Sequence, residues 1–154
     1  MEDQTLSTKA TWRLAKSIIS LRKQIYLQAP MRSKAFDGTI GDSAHQMVQS
    51  DHNPWVWDHF LKIGVVTAVD ITHDPQNGCD CHAIARSLQE NKDIRIKYII
   101  WDRRIFSSYS EDGIESWAWR SYDGKNPHQS HIHISVSSNL DLADLVTPWI
   151  INTL

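Results

Sequence analysis

Val65-Val66-Thr67-Ala68-Val69-Asp70-Ile71-Thr72 is the stretch that decides the fold. Its β-branched composition predicts a strand. Alternation sends Val65, Thr67, Val69 and Ile71 to one face and Val66, Ala68, Asp70 and Thr72 to the other. So apolar a strand is expected at the centre of a sheet, which leaves Asp70 as a carboxylate facing an interior. His131-Ile132-His133-Ile134-Ser135-Val136 alternates in the same way, with His131, His133 and Ser135 on one face. Ile96–Trp101 reads as another buried strand and Trp117–Tyr122 as a short aromatic one. Helical periodicity covers Thr11–Gln28, ended by Pro30, and Cys81–Asn91, with Asp80 as N-cap. A short helix is expected from Leu140, stopped near Pro148. Residues 31–64 carry no sustained period and read as a long structured loop. Ser107–Gly113 reads as a loop and Asp123–Pro127 as a turn. The expected fold class is α+β, a small central antiparallel sheet with flanking helices on one side, in one domain spanning residues 1–154.

Composition narrows the function classes. A chain of 154 residues, 41% hydrophobic and 22% charged, matches one globular domain and argues against disorder or coiled coil. The net charge of −2 gives no general pull toward nucleic acid or an anionic membrane, so neither is an expected partner. No apolar run approaches the roughly 18 residues of a spanning helix, so no integral membrane association is expected. Met1-Glu2-Asp3-Gln4 lacks the apolar region of a secretory signal, and cytoplasmic synthesis is the expectation. Cys79 and Cys81 are too close for an unstrained disulfide and read as ordinary thiols at a helix start. The chain carries 8 His and 7 Trp but only four Glu: Glu2, Glu90, Glu111 and Glu115. That excess of histidine points to metal or acid–base chemistry.

His131 and His133 project from one strand face toward a common site. An interior Asp70 needs a cation or several donors. Pairing with Arg103 or Arg104 is one solution; ligation of a metal is the other. The second gains from His52, in Ser50-Asp51-His52-Asn53-Pro54 just upstream. Two neutral imidazoles and one carboxylate form a common catalytic zinc set, with the fourth position left to water. One carboxylate leaves such a site at net +1, which preserves the Lewis acidity of the ion. The sequence holds no HExxH, no dinucleotide or phosphate loop and no GxSxG elbow.

Ser50-x-His52, Ala68-x-Asp70 and His131-x-His133, in that order, resemble the S-x-H…A-x-D…H-x-H signature of the zinc D,D-peptidase group. That group includes D-alanyl-D-alanine carboxypeptidases, phage endolysins, lysostaphin-like enzymes and the hedgehog signalling domain. Gly41–His45, Ser50–Pro54, Ala68–Asp74 and Asn126–His128 also look like a bacterial and phage subgroup, and the likeness runs from about Trp12 to Val136. The resemblance implies Zn2+ held by His52, Asp70 and His133, with His131 beside them as a catalytic or supporting group. It implies that Ser50 lies near the substrate, and that the substrate is a peptidoglycan stem peptide or cross-bridge. Two departures stand out. Seventeen residues separate His52 from Asp70, so 55–62 must loop out and is a candidate substrate wall. Many members carry a carboxylate base shortly before the last ligand, whereas this chain has His128-Gln129-Ser130-His131.

The implied activity is a zinc metallopeptidase that cleaves a cell-wall amide through activated water. His131 is the first candidate base and His128 the second. Arg103 or Arg104 would stabilise the oxyanion or bind a peptide carboxylate. Asp42 and His45 are expected as substrate or supporting contacts. His73-Asp74 fits either a supporting pair or a turn. Trp55, Trp57, Trp117 and Trp119 fit either packing or stacking on substrate. The protein is expected to act as a monomer on the cell wall after release from the cytoplasm. The alternative function is a catalytically inactive, zinc-containing, hedgehog-like binding domain; a metal-dependent phosphoesterase is disfavoured by the near-neutral net charge.

Overall fold

The computed structural model describes residues 11–40 and 50–154. The expected substrate contacts Asp42 and His45 lie outside the described residues. Among these the order is β1 (Trp12–Leu14), α1 (Lys16–Gln28), β2 (Val56–Asp58), β3 (Ile63–Val66), β4 (Ala68–Thr72), α2 (Cys81–Asn91), β5 (Ile96–Trp101), β6 (Arg104–Ser107), β7 (Arg120–Ser121), β8 (His131–Val136) and α3 (Leu140–Ala143), with a 3-10 turn at Pro75–Asn77. The α+β expectation holds, but in two sheets: a small one ordered β1-β3-β2, and a five-stranded one ordered β4-β8-β5-β6-β7. The five-stranded sheet is antiparallel throughout.

One face of that sheet is the core. Val69, Ile71, Ile99, Ile132, Ile134 and Val136 form one buried cluster with Ile18, Leu21 and Ile25 of α1 and Ile84 and Leu88 of α2. Alternation therefore turns Asp70, Tyr98, His131, His133 and Ser135 to the opposite face. The Cys79 and Cys81 thiols are buried in the core, where their Sγ atoms approach the Thr72 and Ile71 carbonyls at 3.5 Å.

Four expectations need correction. The strand Val65–Thr72 is interrupted at Thr67, whose backbone N–H donates to Asp51 O at 3.2 Å and whose carbonyl accepts from Val136 at 2.8 Å. One chain segment thus passes from the small sheet to the large one. Second, β4 lies at the edge of its sheet, not the centre; Gly38 covers it through a reciprocal pair of backbone bonds with Asp70 (3.2 and 2.8 Å). A covered edge reads as an interior strand in sequence because its outer backbone groups are paired by the covering segment.

Third, the helix expected from Thr11 begins at Lys16. Trp12–Leu14 instead form β1, parallel to β3, and the Arg13 guanidinium bonds Asp58 at 2.9 Å and Asp144 at 3.0 and 2.8 Å. Those distant carboxylates outweigh local helical periodicity. Fourth, the strand expected over Trp117–Tyr122 is only Arg120–Ser121, since Trp117 takes φ 67°. Trp119 packs edge-on to Phe106 at 4.7 Å, and Arg104 stacks on Trp119 at 4.5 Å.

The 55–62 insertion is a hairpin of the small sheet, pairing with β3. Its tip residues Phe60 and Leu61 line a cavity with Arg13, Leu140 and Asp144 that shares no residue with the histidine face. Gly64 on β3 is required by close approach: a Cβ there would run into the Pro54 carbonyl.

Candidate metal centre

The β4–β8 register sets Asp70 opposite His133 and Thr72 opposite His131. Because strand residues two apart share a face, three polar side chains meet on one patch. His52 arrives from the loop before β2. The Ser50 hydroxyl oxygen accepts its backbone N–H at 3.2 Å, and Asp51 anchors the turn through a 3.0 Å ion pair with Lys97. Ser50 therefore positions the His52 turn.

His52 Nε2, His133 Nδ1 and Asp70 Oδ1 form a near-equilateral triangle with edges of 3.1, 3.2 and 3.2 Å. A tetrahedral metal ion with bonds of about 2.0–2.1 Å holds its ligand atoms about 3.3–3.4 Å apart. The triangle is thus close to one face of such a coordination shell. Proton assignment points the same way. His52 Nδ1 lies 2.6 Å from the Thr39 carbonyl, which can only accept, so the ring proton sits on Nδ1 and the Nε2 lone pair faces the triangle. His133 Nε2 lies 2.8 Å from Ser135 Oγ, a partner that can take the Nε2 proton and leave Nδ1 bare. With both rings neutral, lone pairs on two imidazoles and a carboxylate converge on one point, an arrangement that calls for a cation there, either a metal ion or a proton on His52 Nε2.

The electrostatics agree. Burial opposes charge on His52, yet the hydrogen bond and charge of Asp70 outweigh it and favour the imidazolium. At His133 burial prevails and disfavours the charged ring. Burial also opposes ionisation of Asp70, but His133 and His52 hold its carboxyl far below the usual range. The pocket accommodates positive charge where the three ligand atoms meet. His52 and His133 are 6% and 5% exposed, so bulk water does not supply it.

A second grouping, Asp70 with His128 and His131, shares the carboxylate. His131 Nε2 lies 3.8 Å from Asp70 Oδ2, and the His128 and His131 rings meet edge-on at 4.9 Å. His128 sits in a loop held to the β5–β6 turn: the Asp102 and Arg103 backbone N–H groups donate to His128 O and Pro127 O, each at 2.9 Å. Asp102, Arg103 and His128 all take positive φ (49°, 64° and 54°). A two-residue hairpin turn with both central residues left-handed imposes this at Asp102 and Arg103. Burial first, then repulsion by His133 and His131, lowers the His128 pKa to about 4.

Tyr98 stacks on His133 with ring centroids 5.4 Å apart and planes 12° apart, and Phe36 stacks on His131 at 6.3 Å. Burial chiefly pushes the Tyr98 phenol up to about 12, so it stays protonated.

A third grouping, His73, Asp80 and His82, is a helix cap. Cys81 N–H donates to His73 Nδ1, and Trp101 Nε1–H donates to His82 Nδ1, each at 3.0 Å. Both Nδ1 lone pairs are spent on these donors, so neither ring offers Nδ1 to an ion. Asp80 Oδ1 accepts His82 N–H at 2.8 Å, as expected of the α2 N-cap.

The structure thus brings together His52, Asp70, His133, His131 and His128. Arg103 sits exposed at the β5–β6 turn, and Arg104 points to Trp119 on the core side, so Asp70 is partnered by histidines rather than by arginine. Sequence reasoning did not identify Thr39, Ser135, Tyr98 or Phe36. Ser135 and Tyr98 had a signal in strand alternation; Thr39 acts through its carbonyl, which no side-chain pattern reveals. No helix is long and apolar enough to cross a membrane among the described residues. A comparison with known proteins finds no matching family model, curated protein or solved structure.

Proposed function

We propose that this chain is a zinc-dependent peptidoglycan peptidase that hydrolyses a stem-peptide or cross-bridge amide and acts on the cell wall after release. The observation that carries the reading is the triangle of His52 Nε2, His133 Nδ1 and Asp70 Oδ1, whose edges fit a tetrahedral ion. The order of the S-x-H, A-x-D and H-x-H motifs, which resembles that of zinc D,D-peptidases and the hedgehog domain, supports the substrate class and fold relationship.

His52, Asp70 and His133 would hold the ion. When bound, zinc supplies Lewis acidity for attack of water on the scissile amide. Thr39 O and Ser135 Oγ keep the ring protons on the far nitrogens, so the coordinating atoms stay bare. His131 is the base in this reading: Nε2 borders Asp70 Oδ2, within one side chain of the reacting atoms, and would take a proton and return it to the leaving amine. His128, lowered to about 4, is too weak a base for efficient transfer near neutrality; its Nδ1 proton is fixed by Asn126 O at 2.8 Å. Its neutral Nε2 suits a hydrogen-bonding role beside His131.

One observation favours a second reading, a hedgehog-like domain that keeps zinc without catalysis: among the described residues, Asp70 is the one carboxylate in either histidine grouping around the site. The deciding experiment measures zinc content and release of amino groups from purified peptidoglycan. One zinc per chain, with amine release abolished by chelator and restored by Zn2+, is expected of the peptidase. One zinc with no amine release from walls of several chemotypes would establish the binding domain instead. A chain purified without metal that takes up none would remove both.

A further inference from the structure

The exposed side of α1 is strongly cationic and hollow. Arg22, Lys23, Tyr26 and Leu27 of α1 face Arg32 and Lys34 of the following loop across a cavity of about 500 Å3, inside the range of small-molecule and peptide sites, about 300–1,000 Å3. Its one lining carboxylate, Asp37, is consumed: Arg32 grips it bidentately at 2.9 and 2.6 Å. Arg22, Lys23 and Lys34 have no ion-pair partner among the described residues. The buried Arg32 Nε–H also lacks an acceptor. Three unneutralised cations line the hollow in a chain whose overall charge is −2, so they are not part of a general basic surface.

A second cavity adjoins the first on the side of the edge strand β4. A smaller cavity of about 190 Å3 is lined by Arg22, Asp37, Gly38, Thr39 and Asp70. Arg22 and Asp37 line both, so the two cavities lie side by side between the α1 surface and the edge strand that carries the candidate ligand Asp70. The exposed Tyr26 and Leu27, 51% and 76% accessible, give the cationic walls an apolar floor.

We infer that this groove binds the substrate peptide by a free carboxylate, held among Arg22, Lys23 and Lys34, while the rest of the peptide reaches the metal centre past Gly38 and Thr39. The inference rests on the peptidase reading and names its substrate class: an acidic peptide, recognised away from the bond that breaks. Charge complementarity commits the groove to that occupant. Guanidinium and ammonium groups match a carboxylate, and the apolar floor accepts aliphatic side chains.

The test uses two fluorescent tetrapeptides of identical sequence, one with free carboxylates and one with every carboxylate amidated. Each is titrated by anisotropy into the zinc-loaded full chain and into the Arg22→Gln/Lys34→Gln variant. Both side chains are exposed, so the urea midpoint of the variant stays at the wild-type value. The carboxylate peptide should bind wild type about five- to tenfold more tightly than its amidated twin, and the variant should lose that preference. Equal affinity for the two peptides, or a preference surviving in the variant, overturns the inference. So does displacement of the peptide by equimolar inorganic phosphate, which would mark a general anion site. Discrimination retained without amine release from peptidoglycan supports the groove and overturns the peptidase reading, which separates the two failures.

Discussion

Ser135→Ala removes one oxygen from the far side of His133 and tests the ligand assignment without touching a ligand. Ser135 is fully buried, 2.8 Å from His133 Nε2. In the metal-bound state His133 must keep its proton on Nε2, because Nδ1 is the coordinating atom. Without Ser135 Oγ that N–H is buried and unsatisfied, and no water reaches it. The metal-free protein has an escape. His133 can move its proton to Nδ1 and donate to Asp70 Oδ1 at 3.2 Å, leaving a bare Nε2 lone pair. The cost therefore falls mainly on the metal-bound form. Loss of such a supporting hydrogen bond typically weakens metal affinity about 10–100-fold, or about 1.4–2.8 kcal/mol. The assay is zinc competition against a chromophoric chelator, with urea unfolding of the metal-free protein measured in parallel. The expected result is a zinc Kd raised at least tenfold with an apo stability change below about 1 kcal/mol. An unchanged Kd would refute coordination through His133 Nδ1, and with it the proton assignment on which the triangle depends.

Three further outcomes are expected. His131→Gln should lower amine release about 10²–10⁴-fold with zinc content unchanged, whereas His128→Gln should cost clearly less; the reverse ranking would move the base to His128. Asp37 accepts from Arg32 and from the Thr72 backbone and hydroxyl, so Asp37→Asn should destabilise the chain by about 2–4 kcal/mol in urea melts at pH 7. Burial opposes the Asp37 charge, but those donors depress its pKa below the unfolded value. Its contribution is therefore complete above about pH 5 and is lost as pH falls through the folded pKa, and the variant should show a flatter acid limb. Gly64→Ala drives a Cβ into the Pro54 carbonyl and should cost about 1–3 kcal/mol while also weakening zinc binding, because the same turn carries His52; a silent substitution by calorimetry would contradict the close approach.

Much of this was legible in the chain, for identifiable reasons. Strand alternation is a local property, so the shared face of His131 and His133 could be read directly, and so could the inward turn of Asp70 and the Asp80 cap of α2. What alternation cannot give is who lies beside whom. Asp70 reads as central because its neighbours are apolar, yet its strand is an edge closed by Gly38, 32 residues earlier in sequence. Trp12–Leu14 read as helix because Trp12, Ala15 and Ile18 fit that period, and only Asp58 and Asp144, far along the chain, make the extended form better. β6 went unread because its turn, Asp102-Arg103, lacks the Asn-Gly chemistry that announces a hairpin and is held by the Pro127–His128 loop instead.

Edge closure and ligand placement are the same structural event. An uncovered edge strand invites association with other chains. Here the covering segment bonds Asp70 through Gly38, orients His52 through Thr39 and is clamped to the end of β4 by Asp37. Two of the candidate ligand atoms that meet in the triangle, on His52 and His133, lie 81 residues apart in sequence, so an ion there would cross-link the His52 loop to the sheet. Binding to the folded form alone adds stability of about 4 kcal/mol at a thousandfold excess over Kd. That stabilisation would be concentrated near the covered edge, which Gly38 holds by two backbone bonds to Asp70. Loss of a metal bound there and loosening of the edge would therefore be coupled, with the Asp37 clamp limiting how far the second follows the first.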